Sequence, residues 1–446
     1  MAIKPIFHLQ PEKNWMNDPN GLCFIGEQFH MFYQHNPFQA VWGNMTWGHA
    51  VSPDMVHWRR LQNALHPDMP YDKDGVFSGC CVVRDGIPHI LYTGVYPETL
   101  CLAIGDESGM AYDKYSGNPI LTRGGRKLAG WRDPYVWRRD GIYNMLIGSG
   151  DDSGGFTELY QSENLINWDK IGLFAHAKDY DLHDRMWECP VFMYNDNKEA
   201  ALVVSAAPFS ATRLFTGVID NGIFSNSVCG ALDFGDCLYA PNIVRHPDGR
   251  WIMFGWQRET GDNEHRAAQG WQGMLTLPRE LQLFNGALYA SPAREVDSLR
   301  SGRLFHDKEI VSSTAGIIAN PHYEIDAHVY AGKGQSVFNL LDNGDASVCI
   351  SVSDGGVSFT NGYAQDTPGA ADITKKFIQF EIMKKDAHAI RIYVDGTSIE
   401  VYVDSRYTLT TRAYPDGSAT RLRVSAENGC IINELDVYAI NDCYNI

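Results

Sequence analysis

Three carboxylic acids stand in matching local settings in a chain of 446 residues. Asp18 precedes Pro19, Asp133 precedes Pro134, and Glu188 stands just before Cys189-Pro190. Two further strings align with these, Ser78-Gly79 and Ala240-Pro241. At the position before the aligned Pro or Gly are Asp18, Ser78, Asp133, Cys189 and Ala240. One residue earlier are Asn17, Phe77, Arg132, Glu188 and Tyr239. A single Asp-Pro is ordinary turn chemistry. Three acids in register need another explanation, because charges converging in a cleft are costly without a task.

A pair of carboxyl groups suits cleavage of a glycosidic bond. One carboxylate meets the anomeric carbon, and one protonated carboxyl meets the leaving oxygen. The short Asp18 fits the first role. The longer Glu188 fits the second, its proton held by the neighbouring charge of Asp18. Asp133 is then placed to hold sugar hydroxyls, and Arg132 to offset the negative charge or bond Glu188 or the substrate. Sugar faces stack on aromatic rings. Trp15, Trp42, Trp47, Phe77, Trp131, Trp187, Tyr239 and Trp256 lie beside the aligned strings or their loops, and about half of them are expected to be packing residues instead. Trp58, Trp137, Trp168 and Trp251 are assigned to packing.

The elements that must position these groups follow from the same alignment. Each string runs into a hairpin, and the five starts fall at residues 18, 78, 133, 189 and 240. The turns are Gly26-Glu27, Asp85-Gly86, Asp140-Gly141, the region Asn195–Asn197, and Asp248-Gly249. Asp-Gly between apolar runs is a strong hairpin signal. Pro is expected at the first residue of each strand, outside the ladder. Further strands follow each hairpin: 47–52 and 58–61, 100–106 and one near 111, 157–161 and 168–173, 212–218, then 273–277 and 281–289. Four strands in each of five units predict a five-bladed β-propeller. Its inner strands bring the ten aligned residues to one mouth of the channel. The propeller is expected over residues 1–295, with a linker at 291–303. Beyond it, turns at Asp342-Asn343-Gly344, Asp354-Gly355-Gly356, Asp395-Gly396 and Pro415-Asp416-Gly417 punctuate alternating strands. These predict a C-terminal β-sandwich over 304–446, and an all-β chain overall.

Composition narrows the partners. Lys and Arg number 37 against 54 Asp and Glu, a formal charge of −17. That weighs against nucleic acid, whose binding rests on cationic contacts to phosphate, and against anionic membrane surfaces. A small neutral sugar fits. No run approaches the roughly 18 apolar residues of a membrane span. Ten cysteines at irregular spacing, without Cys-x-x-Cys, read as reduced thiols. The first residues lack an apolar signal segment, so a cytoplasmic location is expected, or secretion if a leader has been removed. No spacing suggests a metal site. Oligomeric state is left open by all of these features.

The strings Trp15-Met16-Asn17-Asp18-Pro19-Asn20-Gly21, Arg132-Asp133-Pro134 and Glu188-Cys189-Pro190 resemble the three catalytic motifs of glycoside hydrolase family 32, the invertases and fructanases. Phe32-Tyr33-Gln34, Trp47-Gly48-His49, Phe77-Ser78-Gly79, Tyr239-Ala240-Pro241 and 277–281 are also similar, as is 398–403 in the second domain. The resemblance implies a retaining enzyme on terminal β-fructofuranosides, without metal or cofactor. It implies Asp18 as nucleophile, Asp133 as transition-state stabiliser and Glu188 as acid/base. It further implies a fructose subsite of Asn17, Gln34, Trp42, Phe77, Ser78, Arg132, Tyr239 and Trp256. Cys80, Val191 and Cys237-Leu238 depart from the family's usual residues, on the side that decides the leaving group. Sucrose, sucrose phosphate, short oligosaccharides, inulin and levan all remain open as substrates. A fructosyltransferase, a non-catalytic sugar-binding propeller and an inverting arabinan-cleaving enzyme are the competing readings. The intact acid trio weighs against the second, and the matched strings against the third.

Overall fold

Asp85-Gly86 and Asp140-Gly141 take positive φ at both residues (52° and 82°, 51° and 86°). This is the two-residue turn whose twist matches that of the flanking strands. These and other tight turns generate five antiparallel units in the computed structural model, which describes residues 3–208, 211–220, 222–260, 267–312, 316–318, 320–364, 375–415 and 417–444. The Asp416 turn lies outside the described residues.

The inner strands are Asn14–Ile25, Gly75–Arg84, Gly130–Arg139, Met186–Tyr194 and Leu238–Arg245. Each pairs with the next strand outward: Gln28–Asn36, Ile87–Val95, Ile142–Asp151, Glu199–Ala207 and Trp251–Gln257. Successive inner strands contact one another, and the fifth contacts the first, which closes the ring. Trp271–Gln272, from the fifth unit's connection, pairs in parallel with Asn14 and Trp15 and fastens that closure. The expected five-bladed propeller is therefore present.

Four details differ from expectation. The inner strands begin several residues before the aligned prolines, so Pro sits inside them. Blade four has a fourth strand, Ile223–Ala231, whose mostly exposed residues carry little apolar signal. In blade five the stretch expected as one strand over 281–289 is a hairpin, Arg279–Phe284 with Ala287–Pro292, turning at Asn285-Gly286. The expected linker is ordered: a 3-10 turn at Arg294–Leu299 runs into strand Arg300–Asp307, which pairs with Ile431–Ile440.

The second unit is a β-sandwich of two six-stranded sheets. One contains His322–Tyr330, Ala387–Asp395, Ser398–Val403 and Tyr407–Arg412, and the other is centred on Gln335–Asp342. Ile325, Phe338, Ile350, Phe359, Ile392, Val401 and Val437 are buried between them. A separate apolar cluster joins propeller residues Met16, Phe29 and Leu277 to sandwich residues Tyr393, Tyr402 and Ile440. A buried polar network crosses the same junction. His8 bonds Asp395 at 2.7 Å and Glu400 at 3.0 Å, and Glu400 also accepts from Arg279 at 2.9 Å. Among the described residues, no helix is long and apolar enough to cross a membrane.

Candidate active site

Side chains along a regular strand alternate between faces. Arg132 and Asp133 would then point apart, yet both face one cavity. The cause is a break in register in every inner strand at the mouth of the channel. It falls between Met16 and Pro19, Phe77 and Gly79, Arg132 and Tyr135, Glu188 and Val191, and Tyr239 and Asn242. A bulge sets two residues against one, bends the strand and re-aims its side chains. Asp133, Cys189 and Ala240 take positive φ there (63°, 45° and 46°). The prolines that follow are tolerated because a bulge leaves an N–H unpaired in any case. The repeated string thus encodes a repeated bulge, not a strand start.

The cavity measures about 550 Å³. It is lined by Asn17, Asp18, Gln34, Trp42, Phe77, Ser78, Arg132, Asp133, Glu188, Tyr239 and Trp256, so all eleven site residues expected from sequence meet there. Of the ten aligned residues, Cys189 and Ala240 do not line it. They face a narrow continuation of the channel below, with Pro19, Pro134, Pro190 and Pro241. Trp15 joins the wall, whereas Trp47, Trp131 and Trp187 are fully buried packing residues. Trp42 is 59% exposed at the rim.

Three residues were not foreseen: Tyr96, Arg258 and Glu259. Each follows the second strand of its blade. That strand runs antiparallel to the inner one, so its end returns to the same mouth. The signal was therefore topological and carried no motif.

Each acid is held by specific donors. Asp18 accepts from Ser78 Oγ at 2.7 Å and from Asn17 Nδ2 at 3.0 Å, and Asn17 is itself fixed by Trp15 Nε1 at 2.6 Å. Burial raises the Asp18 pKa, these hydrogen bonds oppose the rise, and the charge of Glu188 adds to it. Asp133 accepts the Cys189 backbone N–H at 3.0 Å and donates its own N–H to Thr93 at 3.0 Å. Burial pushes its pKa up to about 7; Arg132 pulls it down, and Glu188 and Asp18 push it further up. Cys189 Sγ lies 3.5 Å from Oδ2 of both Asp18 and Asp133. Burial and the surrounding carboxylates hold its thiol protonated, so it serves as a donor to both.

Glu188 is clamped from two sides. Arg132 donates to Oε1, and the Tyr239 hydroxyl donates to Oε2 at 2.6 Å. Arg132 is shared with Glu98 at 2.5 Å, and Glu98 accepts the Trp131 backbone N–H at 2.9 Å. Burial and then the Glu188 charge govern the Tyr239 phenol, and both raise its pKa. The site thus presents two carboxyl groups with separate donor sets, and a third acid in the same cavity.

All ten cysteines are free thiols. The fold also brings His306, Glu434 and Asp436 within 4.8 Å of one another on the sandwich, a cluster that no sequence spacing suggested. Arg303 already pairs with Asp436 there at 3.1 Å.

Comparison with known proteins bears on this geometry. Residues 8–292 match the model of the glycosyl hydrolases family 32 N-terminal domain, and 295–439 match that of the family 32 C-terminal domain. The chain is 30% identical over 462 residues to a raffinose invertase of Escherichia coli, covering 95% of this chain and 92% of that one. It is 30% identical over 465 residues to a sucrose-6-phosphate hydrolase of Escherichia coli, covering 96% and 93%. The fold matches fructan 1-exohydrolase IIa from Cichorium intybus with a TM-score of 0.87 at 22% identity, over 99% of this chain and 98% of that one.

Proposed function

The chain belongs to glycosyl hydrolase family 32 and is a glycosidase of the fructofuranosidase type, and from that premise we propose that it removes terminal β-fructofuranosyl units with Asp18 as nucleophile and Glu188 as acid/base. The observation that carries this reading is that both carboxyl groups, from blades one and four, open into one cavity with different partners.

In the first step an Asp18 oxygen attacks C2 of the fructosyl unit. The bond from C2 to the glycosidic oxygen breaks, and that oxygen leaves with the proton of Glu188. A fructosyl–Asp18 ester and a free alcohol result. In the second step Glu188 takes a proton from water as the water oxygen attacks C2. The ester bond breaks, Asp18 is restored as a carboxylate, and fructose leaves with its configuration retained. Ser78 and Asn17 favour the ionised form of Asp18 through hydrogen bonds. Arg132 and Tyr239 hold Glu188 in place during both proton transfers. Asp133 bonds fructose hydroxyls more strongly as positive charge develops on the ring.

A cavity of about 550 Å³ suits one sugar ring held firmly and part of its neighbour. It supports action at a chain end on sucrose or short fructo-oligosaccharides, in keeping with the raffinose and sucrose-6-phosphate activities named for the relatives. The test is release of reducing sugar from sucrose, sucrose 6-phosphate, raffinose, 1-kestose, inulin and levan. Turnover of the small fructosides is expected. No release from any of the six would overturn the proposal.

A further inference from the structure

Glu259 lines the sugar cavity, yet both of its oxygens are committed to groups distant in the sequence. Oε1 accepts the Gly273 backbone N–H at 2.9 Å and the Arg412 guanidinium at 3.0 Å. Oε2 accepts the Tyr414 hydroxyl at 2.6 Å. Arg412 and Tyr414 belong to the sandwich. Arg412 is wholly buried and also donates to Thr397 Oγ1 at 2.9 Å. The Tyr414 hydroxyl accepts the Thr260 backbone N–H at 3.1 Å.

The third partner ties this carboxylate to the catalytic wall. Gly273 has φ of 81°, and a Cβ there would lie 1.8 Å from the Met16 carbonyl oxygen and 3.2 Å from Trp256 Nε1. Gly273 thus packs directly on the backbone that leads into Asn17 and Asp18, and on a ring of the sugar wall. Trp256 in turn meets Trp15 edge to face at 5.8 Å. From the sandwich, therefore, contacts run through Glu259 and Gly273 to the aromatic wall of the sugar cavity.

We infer that Arg412 and Tyr414 of the β-sandwich are positioning residues for the fructoside site, acting through the carboxylate of Glu259. A buried carboxylate is tolerated only when it is paired. Without Arg412, Glu259 would turn toward the nearest water, which is the cavity it lines. The sugar wall would then lose its shape, while Asp18 and Glu188 would keep their own donors. Substrate affinity should suffer more than the chemical step.

The inference rests on the fructofuranosidase reading, so wild type is assayed first on the best-cleaved sugar of the panel above. Arg412→Met is expected to raise KM about tenfold, a binding loss of roughly 1.4 kcal/mol, with kcat within about twofold and the pH profile unmoved. Adding Glu259→Gln to that variant should restore most of the lost KM, because a neutral amide is not drawn into the cavity. Tyr414→Phe, which removes one hydroxyl, should fold even if Arg412→Met does not, and should raise KM about two- to fivefold. Arg391→Met is the control: it breaks a sandwich cluster with Glu324 and Asp297, and should lower Tm without changing KM. An inactive wild type would sink the fructofuranosidase reading. An active wild type whose KM is unchanged in the folded Arg412 and Tyr414 variants would sink this inference alone. So would an Arg391→Met variant with the same rise in KM, since that would mean general loosening.

Discussion

Ser78 Oγ donates to Asp18 Oδ2 at 2.7 Å, so a hydroxyl from blade two fixes the carboxylate of blade one. The bond spans 60 residues of sequence and depends on bulges in two different strands. A hydrogen bond to a charged group contributes about 1.5–3 kcal/mol. Ser78→Ala should therefore lower kcat about 10- to 100-fold with little change in Tm. Steady-state kinetics on a small fructoside would check this. Unchanged kcat would mean that Asp18 does not need this donor.

Asp18→Ala and Glu188→Ala should each remove nearly all hydrolysis while the fold persists. Loss of a nucleophile or a general acid typically costs several orders of magnitude. Circular dichroism would show the fold, and product release would show the loss. Near-normal turnover in either folded variant would refute its assigned role.

His8 should give the chain a pH-dependent stability. Burial disfavours its imidazolium, but hydrogen bonds to Asp395 and Glu400 outweigh that and raise its pKa from 6.5 to about 8. The folded chain then holds this proton more tightly than the unfolded chain. The resulting stabilisation is complete below pH 6.5 and lost as pH rises through about 8. It amounts to about 2 kcal/mol. Thermal melts between pH 6 and 9 should show the decline. His8→Gln should be less stable than wild type at pH 6, with a flatter profile above it.

Much of this was legible because local chemistry and the global fold agree. Asp85-Gly86 and Asp140-Gly141 mark hairpins by themselves, and the strings around Asp18, Asp133 and Glu188 mark the bulges that aim them. What stayed hidden has physical causes. Ile223–Ala231 is an outer strand with one face to water, so it lacks an apolar run. Glu259 reads as one more loop acid. Its partners Arg412 and Tyr414 lie more than 150 residues away, and only the junction between the two units brings them together. The bulges themselves read as strand starts in the sequence, because Pro marks an unpaired N–H equally well in both settings.

Asp133 should cost the folded chain stability at neutral pH. Burial, together with the charges of Glu188 and Asp18 and despite Arg132, lifts its pKa from 3.8 to about 7. The folded chain binds this proton more tightly, so the associated stability is present below about pH 4 and lost as pH rises through about 7. The span corresponds to roughly 4 kcal/mol. Asp133→Asn keeps an oxygen for the Cys189 N–H and removes the charge. It should melt higher than wild type at pH 8, and the difference should shrink at pH 4.5. Activity should fall about 100-fold, as for loss of one preorganised charge-stabilising group. A variant less stable than wild type at pH 8 would argue against a buried charge at this position.

Stereochemistry tests the mechanism most directly. A retaining pair of carboxyl groups stands about 5–5.5 Å apart, whereas an inverting pair is wider by the room a water needs. Asp18 is held by three donors: Oδ2 accepts from Ser78 at 2.7 Å and from the Cys189 thiol at 3.5 Å, and Oδ1 accepts from Asn17 at 3.0 Å. These donors fix the carboxylate in one orientation, as a nucleophile needs. In the proposed mechanism Glu188, held by Arg132 and Tyr239, serves both steps, first as acid and then as base. Each step inverts C2 once, so two steps retain its configuration. Proton NMR cannot follow this, because C2 of fructose bears no hydrogen. Carbon-13 NMR can, if spectra are taken faster than mutarotation. β-Fructofuranose should be the first furanose seen, with the α form growing later. If α-fructofuranose came first, a single displacement by water would be required, and Asp18 would have to be reassigned as a base.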